Sequence, residues 1–509
     1  MLDAIVIGSG MGGLSCAAAL AKTGHSVLVL EQHHTLGGLT QTFERSVFRF
    51  NVGVHYIGDM GPHDHAAHVL DWLSEGAIAM ASMGPVYDTV HFPGGFQIAL
   101  SRPEAALKLD LTERFPGSAT EIERIFRIFH EAEEAGRAVF ALRSMPEAFA
   151  TIYRFWKGRA IAKWCARTTQ AVLEENITDP RLRAVLAARW EDYGGPPAEG
   201  AFAVHALVMR NYFGGSYYPV GGAGVFAKAL AAVIEKDGGT LEVNRLVTTL
   251  LMENDAVVGV QLADGTQRRA KKVVSDAGAL NTVGQLLPQA QRDSQWAREV
   301  LSFKPAAAHI GMYLGFEGDI LSHGATLSNH WFYQSWDPSA TLWNDPLAEA
   351  VAPDMFVSFP SLKDPGLDRG STLKHTAEIA VMTRTTMFER WADSRFGSRP
   401  ADYVACKASI ERLLLAEFGK RFPALVPLIR HHEISTPLTT AHFTLAPHGA
   451  IALETTPRRF LSASLNAKTP VPGLHLAGQD VGSPGIQGAM MGGVLAAASI
   501  DPKVFRLLA

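Results

Sequence analysis

Cysteine is scarce in this chain: Cys16, Cys165 and Cys406 are the only three in 509 residues. Thiols so few and so scattered exclude a disulfide framework and a cysteine zinc site, and they fit a reducing compartment. Cys16, four residues past Gly12, reads as a small buried hydrophobe. A dominant charge is also lacking. Lys and Arg number 46 and Asp and Glu 50, a formal net charge of −4, so a phosphate-led attraction to nucleic acid has no support. No uninterrupted apolar run reaches the length of about 18 residues that a membrane-spanning helix needs. Met1-Leu2-Asp3 runs straight into a strand, with no basic segment or small-residue cleavage site. The expectation is a cytoplasmic protein, free or peripheral on a membrane. Internal repeats and low-complexity segments are absent. What remains is an ordinary globular composition, 47% hydrophobic and 19% charged, with chain enough for roughly two to four domains.

The first forty residues carry a sharper signal. Residues 3–7 are an apolar run suited to a buried parallel strand. Gly8-Ser9-Gly10-Met11-Gly12-Gly13 follows, then a helix-prone segment over 14–22 and a second strand over 26–30 that ends at Glu31. Gly8 permits a tight turn, Gly10 lets the backbone approach a pyrophosphate, and Gly13 lets helix and strand pack closely. The helix start, with its free N–H groups and positive dipole end, holds the phosphate. Glu31 stands where an acid accepts hydrogen bonds from ribose hydroxyls, and it disfavours the extra phosphate of NADP. Gln32 to Leu36 then lead to Gly37-Gly38-Leu39-Thr40. This second glycine pair resembles the run in the flavoprotein group of glutathione reductase and the amine oxidases. There it carries the chain past the FAD diphosphate, so the resemblance implies FAD rather than NAD.

A counterpart lies near the end. Residues 472–477 read as a short strand delivering Gly478 and Asp480, and Gly482-Ser483-Pro484-Gly485-Ile486-Gln487-Gly488 opens a small-residue helix over 489–499, beginning at Ala489. A second helix N-terminus aimed at a cofactor suits the oxygen-rich side of a flavin. Between these ends, Gly221-Gly222-Ala223-Gly224 precedes an amphipathic helix, Val225–Lys236, stopped by Gly238-Gly239. Strands are expected over 240–243, 246–252, 257–262 and 269–275. By resemblance to the same flavoproteins, the backbone near Val247 receives the adenine.

The fold expected is therefore α/β: a Rossmann-type FAD-binding domain of the glutathione reductase/amine oxidase type, with a second, α+β substrate domain. The first is assembled from 1–100, 215–300 and 450–509, the second from 101–214 and 301–449. Helices are expected over 118–142 and 181–188, and Pro338, Pro346, Pro353, Pro360 and Pro365 mark loops.

Four stretches then carry a resemblance over nearly the whole chain: Phe50-Asn51-Val52-Gly53-Val54-His55-Tyr56-Ile57-Gly58, Val274-Ser275-Asp276-Ala277-Gly278, Ala446-Pro447-His448-Gly449 with Arg459-Phe460, and Thr469-Pro470 leading to Ala477-Gly478-Gln479-Asp480-Val481. The chain resembles the phytoene desaturase, carotenoid isomerase and retinol saturase superfamily of FAD enzymes, leaning towards the retinol saturase (all-trans-retinol 13,14-reductase) branch. The resemblance implies addition or removal of hydrogen across a C=C bond of a long apolar substrate: a retinoid, a carotenoid or other terpenoid, or a fatty-acyl chain. Desaturation and cis–trans isomerisation stay open as alternatives. Animal retinol saturases carry an N-terminal membrane-directing segment, which is not visible here, so a microbial relative is expected.

The segment through Val54 and His55 should pass near the flavin, and His55 and Tyr56 are the candidate proton donors; water is the rival source. No second dinucleotide fingerprint appears, which leaves transient NAD(P)H, a quinone or a separate reductase as electron partner. The histidines and acids between Asp59 and His68 have ligand-like spacings but read as a solvated loop leading into a helix, so no metal is expected. The basic and aromatic residues of 149–164 suit either a helix lying in a lipid interface or one whose aromatics face the core. An amine oxidase would want an aromatic cage, which nothing marks. A prenyl-binding escort of the GDP-dissociation-inhibitor type is opposed by Glu31, Gly37-Gly38 and the 478–489 turn.

Overall fold

The computed structural model describes residues 1–145, 147–337, 342–345 and 351–508. Its first sheet is built on strand β1 (Leu2–Ile7), helix α1 (Met11–Lys22) and strand β2 (Val27–Leu30). β1 pairs in parallel with β2 on one side and with Gln267–Ser275 on the other. Thr240–Glu242 extends the sheet beyond β2, and Leu474–Leu476 joins in parallel beyond Gln267–Ser275. Residues 4–7 of β1 and all of β2 are apolar and buried because both faces are covered there; α1 packs against helix Val225–Lys236 and helix Ile486–Ile500. Register matters more than membership here. Ile7 stands opposite both Leu30 and Ser275, and Ser275 stands opposite Leu476, so four parallel strands end on one line.

A second sheet runs in the order Ile429–Ser435, Ala308–Glu317, Lys374–Thr383, Asp354–Ser358, Asn329–Tyr333, Val86–Phe92, Phe96–Ser101. Its pairs are antiparallel except Asn329–Tyr333 with Val86–Phe92. Side chains alternate between two cores. Trp331, Phe356 and Met382 face a helical layer that includes α2 (Ala119–Ser144), while Met355, Val357 and Val381 pack on helix Ala401–Arg421. In the first half of α2, Ile122, Ile125, Phe126, Phe129 and Ala132 are buried at the spacing of a helical stripe.

Two expectations are corrected. Residues 86–100, placed with the nucleotide-binding segments from sequence, hydrogen-bond into the second sheet, because Val86–Phe92 finds its parallel partner at Asn329–Tyr333. Pro360 opens the short helix Pro360–Lys363 instead of marking a loop, a position where its missing N–H goes unused. Pro338 and Pro346 lie outside the described residues. Residues 149–164 fall within helix α3 (Glu147–Trp164). Trp164 is buried, but Phe149, Ile152, Phe155 and Trp156 face outward, against the core-facing alternative.

Candidate dinucleotide-binding site

Just past the line of strand ends lie Gly8, Glu31, Asp276 and Ala477-Gly478, which is where open parallel sheets place ligands. Two helices begin there. α1 starts at Gly10 and helix Ile486–Ile500 at Gly485; neither has a side-chain cap or an acid in its first turn. Uncapped first-turn N–H groups at the positive end of a helix are an anion site.

Glycine lets the two ends of the chain touch. A Cβ on Gly12 would stand 2.3 Å from Gly478 Cα, and one on Gly493 would stand 2.1 Å from the Gly12 carbonyl oxygen. Gly13 packs on Gly8, where a Cβ would come 2.1 Å from its carbonyl. The second glycine pair folds back on the first turn: Gly37 N–H donates to Ser9 O at 3.0 Å, and a Cβ on Gly38 would lie 3.1 Å from Gly10 Cα. Thr40 Oγ1 closes this turn by donating to Gly37 O at 2.7 Å. Met11 buries its side chain, so only its backbone can serve a ligand. The Leu39 carbonyl lies under Gly53, ahead of buried Val54.

Glu31 is more occupied than its motif implies. Its carboxylate accepts from Ser9 N–H (2.9 Å), Ser9 Oγ (2.6 Å) and His33 N–H (2.8 Å), leaving about one lone-pair site for a ribose. Its backbone binds residues 242 and 245, which brings buried Val247 close to the same strand end. Gln32 donates to Phe443 O at 3.1 Å. At the other helix, a Cβ on Gly488 would stand 1.9 Å from Ser483 O, and Ala489 N–H donates to Gly485 O, leaving Ile486, Gln487 and Gly488 as the first turn. Gln487 Nε2 donates to Gly58 O at 2.6 Å, tying this helix to the His55 segment. Asp480 accepts from Ala279 N–H at 2.7 Å; burial pushes its carboxyl up, opposed by Arg459.

Asp276, not singled out as a ligand-site residue from sequence, sits between the two glycine turns. It accepts from Gly13 N–H at 2.8 Å. Burial pushes its carboxyl up to about 7, the Gly13 bond opposes this, and Asp480 and Glu31 add to it. The folded chain therefore holds a proton here that the unfolded chain releases near 3.8. That contribution to stability is full below about 4 and lost as pH rises through about 7. An Asp276→Asn protein is expected to show a flatter dependence of Tm on pH between 5 and 8 than the parent, and parallel curves would refute the assignment.

His55 and Tyr56 diverge. His55 Nδ1 donates to Glu378 at 2.9 Å, and its ring packs on Phe356 with 5.0 Å between centroids. Glu378 is 1% exposed and is held in turn by Asn51 N–H (2.7 Å) and Nδ2 (3.1 Å). The His55 side chain keeps 24% of its surface, so Nε2 is the nitrogen left to meet another group. Tyr56 is buried. Its hydroxyl donates to Asp88 at 3.0 Å and accepts from Arg189 at 3.0 Å, so its proton is engaged. Lys363, fully buried and pushed down to about 7 by burial, donates to His55 O at 3.0 Å and to Ser358 Oγ at 2.7 Å. Glu378, Lys363 and Arg189 were missed from sequence, although Glu378 interrupts an apolar strand and a charge there is a signal in itself. Arg143 and Arg459, both buried, grip the late turn: Arg459 donates to the Gln479 and Asp480 carbonyls at 3.0 Å, and Arg143 to Gly482 O at 3.0 Å. In the Asp59–His68 stretch, Asp64 accepts from Gly61 N–H at 2.7 Å and Asp59 from Ala66 N–H at 3.3 Å, which fastens the start of helix His65–Ser74.

Known proteins align with this arrangement. A family model described as an NAD(P)-binding Rossmann-like domain matches residues 6–73. An all-trans-retinol 13,14-reductase of Danio rerio is 30% identical, over 96% of this chain and 84% of that protein. A chloroplastic prolycopene isomerase of Daucus carota is 26% identical, over 94% of this chain and 76% of its own. Cyclohexylamine oxidase from Brevibacterium oxydans shares the fold with a TM-score of 0.62 at 17% identity, covering 99% of this chain and 100% of its own. Fold and site together define a dinucleotide-binding enzyme of amine-oxidase-like architecture. The chain belongs to the retinol saturase/carotenoid isomerase family. With a reductase and an isomerase as relatives, the escort reading is not favoured.

Proposed function

We propose that this chain is an FAD-dependent enzyme that adds or removes hydrogen across a C=C bond, or isomerises it, in a long apolar polyene of the retinoid or carotenoid class. The observation that carries this reading is the meeting of two uncapped helix starts over one line of parallel strand ends, beside a histidine held by a buried carboxylate. The first turn of α1, with Gly8, Gly10, Gly12 and Gly13, would hold the diphosphate, Glu31 the ribose, the backbone near Val247 the adenine, and Ile486 to Ala489 the flavin end. When bound, FAD supplies hydride exchange.

The chain's own part is positioning and proton handling. Glu378 keeps the proton of Nδ1 in place, which fixes Nε2 as the atom that gives or takes one. Tyr56, its hydroxyl bonded to Asp88 and Arg189, braces the segment. Transient NAD(P)H, a quinone or a separate reductase would complete the electron balance.

The purified protein should be yellow. After anaerobic reduction, its oxidised colour should return on addition of all-trans-retinol or a carotenoid. His55→Ala should keep the flavin and slow this reoxidation by about 10²–10⁴-fold, the usual effect of losing a proton-transfer group. A colourless protein would remove the cofactor reading. Unchanged reoxidation in the variant would move the proton source to water.

A further inference from the structure

Among the described residues, a large apolar feature that the site does not use lies on α3. Phe149, Ile152, Phe155 and Trp156 are 65%, 60%, 86% and 77% exposed. Steps of three and four residues align Phe149, Ile152 and Trp156 on one stripe, and the same steps continue it to Arg159 and Lys163. The exposed stripe is thus apolar in its first half and cationic in its second. Ala150 and Trp164, on the opposite side, are buried and anchor the helix to the body.

We propose that this face of α3 docks on an anionic lipid bilayer and that the apolar substrate enters the protein there. Charge favours that partner. Residues 149–164 hold Arg154, Lys157, Arg159 and Lys163 and no acid. Glu131 and Glu134 of α2 face the cationic half across a shallow surface dent, and Glu131 pairs with Lys163 at 3.4 Å. Lys157, Arg159 and Lys163 against Glu131 and Glu134 leave a positive excess around this dent, beside the aromatics, which is the pattern of a helix lying in a headgroup layer. A docked protein chain would be served by the apolar half alone; the basic half is what a negatively charged surface explains.

Position ties the patch to the site. Arg143, in the last turn of α2, donates to Gly482 O at 3.0 Å and Phe460 O at 2.6 Å, on the turn that opens helix Ile486–Ile500. α3 begins at Glu147, so the apolar half of the stripe follows in sequence directly after the arginine that grips that turn. The route for substrate rests on the function proposed above, whereas docking itself does not.

Flotation of the flavin-loaded full chain with vesicles tests both parts. The parent should float with phosphatidylcholine vesicles containing phosphatidylglycerol, less so with phosphatidylcholine alone, and should detach at high salt. A Phe155→Ser/Trp156→Ser double variant and an Arg159→Glu/Lys163→Glu double variant should each bind at least tenfold less. All four side chains are on the surface, so Tm should hold. Both variants should keep parental turnover on detergent-dispersed polyene and lose it on vesicle-borne polyene. A parent that does not float, or an aromatic variant that floats like the parent, overturns the proposal. So does a parental dimer that the aromatic variant converts to monomer in the absence of vesicles, which would make the patch an interface between copies. Loss of turnover on dispersed polyene by the parent itself would instead strike the enzymatic reading and leave docking standing.

Discussion

Gly12→Ala is expected to give a protein that purifies without flavin and unfolds at lower denaturant. The added methyl would stand 2.3 Å from Gly478 Cα and 2.7 Å from Gly478 N. Both atoms are backbone, so no rotamer relieves the clash; α1 and the late turn must part. That separation opens the crevice between the two helix starts, and it also strains the crossing of α1 with helix Ile486–Ile500, where Gly493 already meets the Gly12 carbonyl. Overpacking of this kind destabilises by about 1–3 kcal/mol. The loss of cofactor should be near complete, because the site depends on a spacing that the methyl fills. Gly158→Ala in α3 is the matched control. Its Cβ meets nothing within 4 Å, and alanine should stabilise that helix by about 0.5–1 kcal/mol. The ratio of flavin to protein absorbance, with urea unfolding of both variants, decides the matter. Normal flavin content in Gly12→Ala would mean that the two ends of the chain separate freely and that the cradle is not the cofactor site.

Arg189→Leu should be the most destabilising single change beneath the His55 segment. Arg189 is 1% exposed, pairs with Asp88 and Asp192, donates to Tyr56 Oη, and lies 3.8 Å over the Tyr212 ring. Leucine fills part of the volume but leaves buried Asp88 and partly exposed Asp192 without their cation. Breaking a buried ion pair from one side destabilises by about 3–5 kcal/mol. Lysine should rescue only in part, since one ammonium cannot reproduce the forked contact with two acids and a phenol. Burial pushes Asp192 up to about 6 even with Arg189 in place. Without it, folding would hold a proton on Asp192 that the unfolded chain releases. The deficit should therefore be larger at pH 8 than at pH 5. Urea midpoints at the two pH values test this, and a deficit under about 1 kcal/mol at pH 8 would show that the acids find water or another partner.

Local pattern made the nucleotide-binding half readable in advance. The helix at Val225–Lys236 has the bounds its amphipathic spacing and following glycines indicate, and β1, α1 and β2 differ from expectation by a few residues at their ends. Each is marked by neighbours in sequence. The side chains around His55 are not. Glu378 reaches it across 323 positions, and Lys363 across 308. Asp276 meets Gly13 across 263. Nothing in a spacing of that size reveals which acid faces which base; only the register of the second sheet does, where Ser358 and Glu378 fall opposite each other. Residues 86–100 fall in the second sheet for the same reason, since their partner strand begins at Asn329. Tyr56 shows a different limit. The residue type was right for proton transfer, but burial against Asp88 and Arg189 has already engaged its hydroxyl.

The crossing of the two chain ends also bears on how the protein is made. β1 leaves the ribosome well before its neighbour Gln267–Ser275, and the strand beyond that, Leu474–Leu476, follows later again. The helix that packs on α1 follows later still. Until then the nascent chain holds an open sheet edge and a half-lined crevice, the kind of exposed surface that aggregates and calls on chaperones. Pairings this distant in sequence close slowly. On the function proposed above, the dinucleotide would be captured only once the strand Leu474–Leu476 and the helix Ile486–Ile500 have been made, and a message truncated before residue 474 would yield a chain with the first glycine turn complete and nothing to press the cofactor against it.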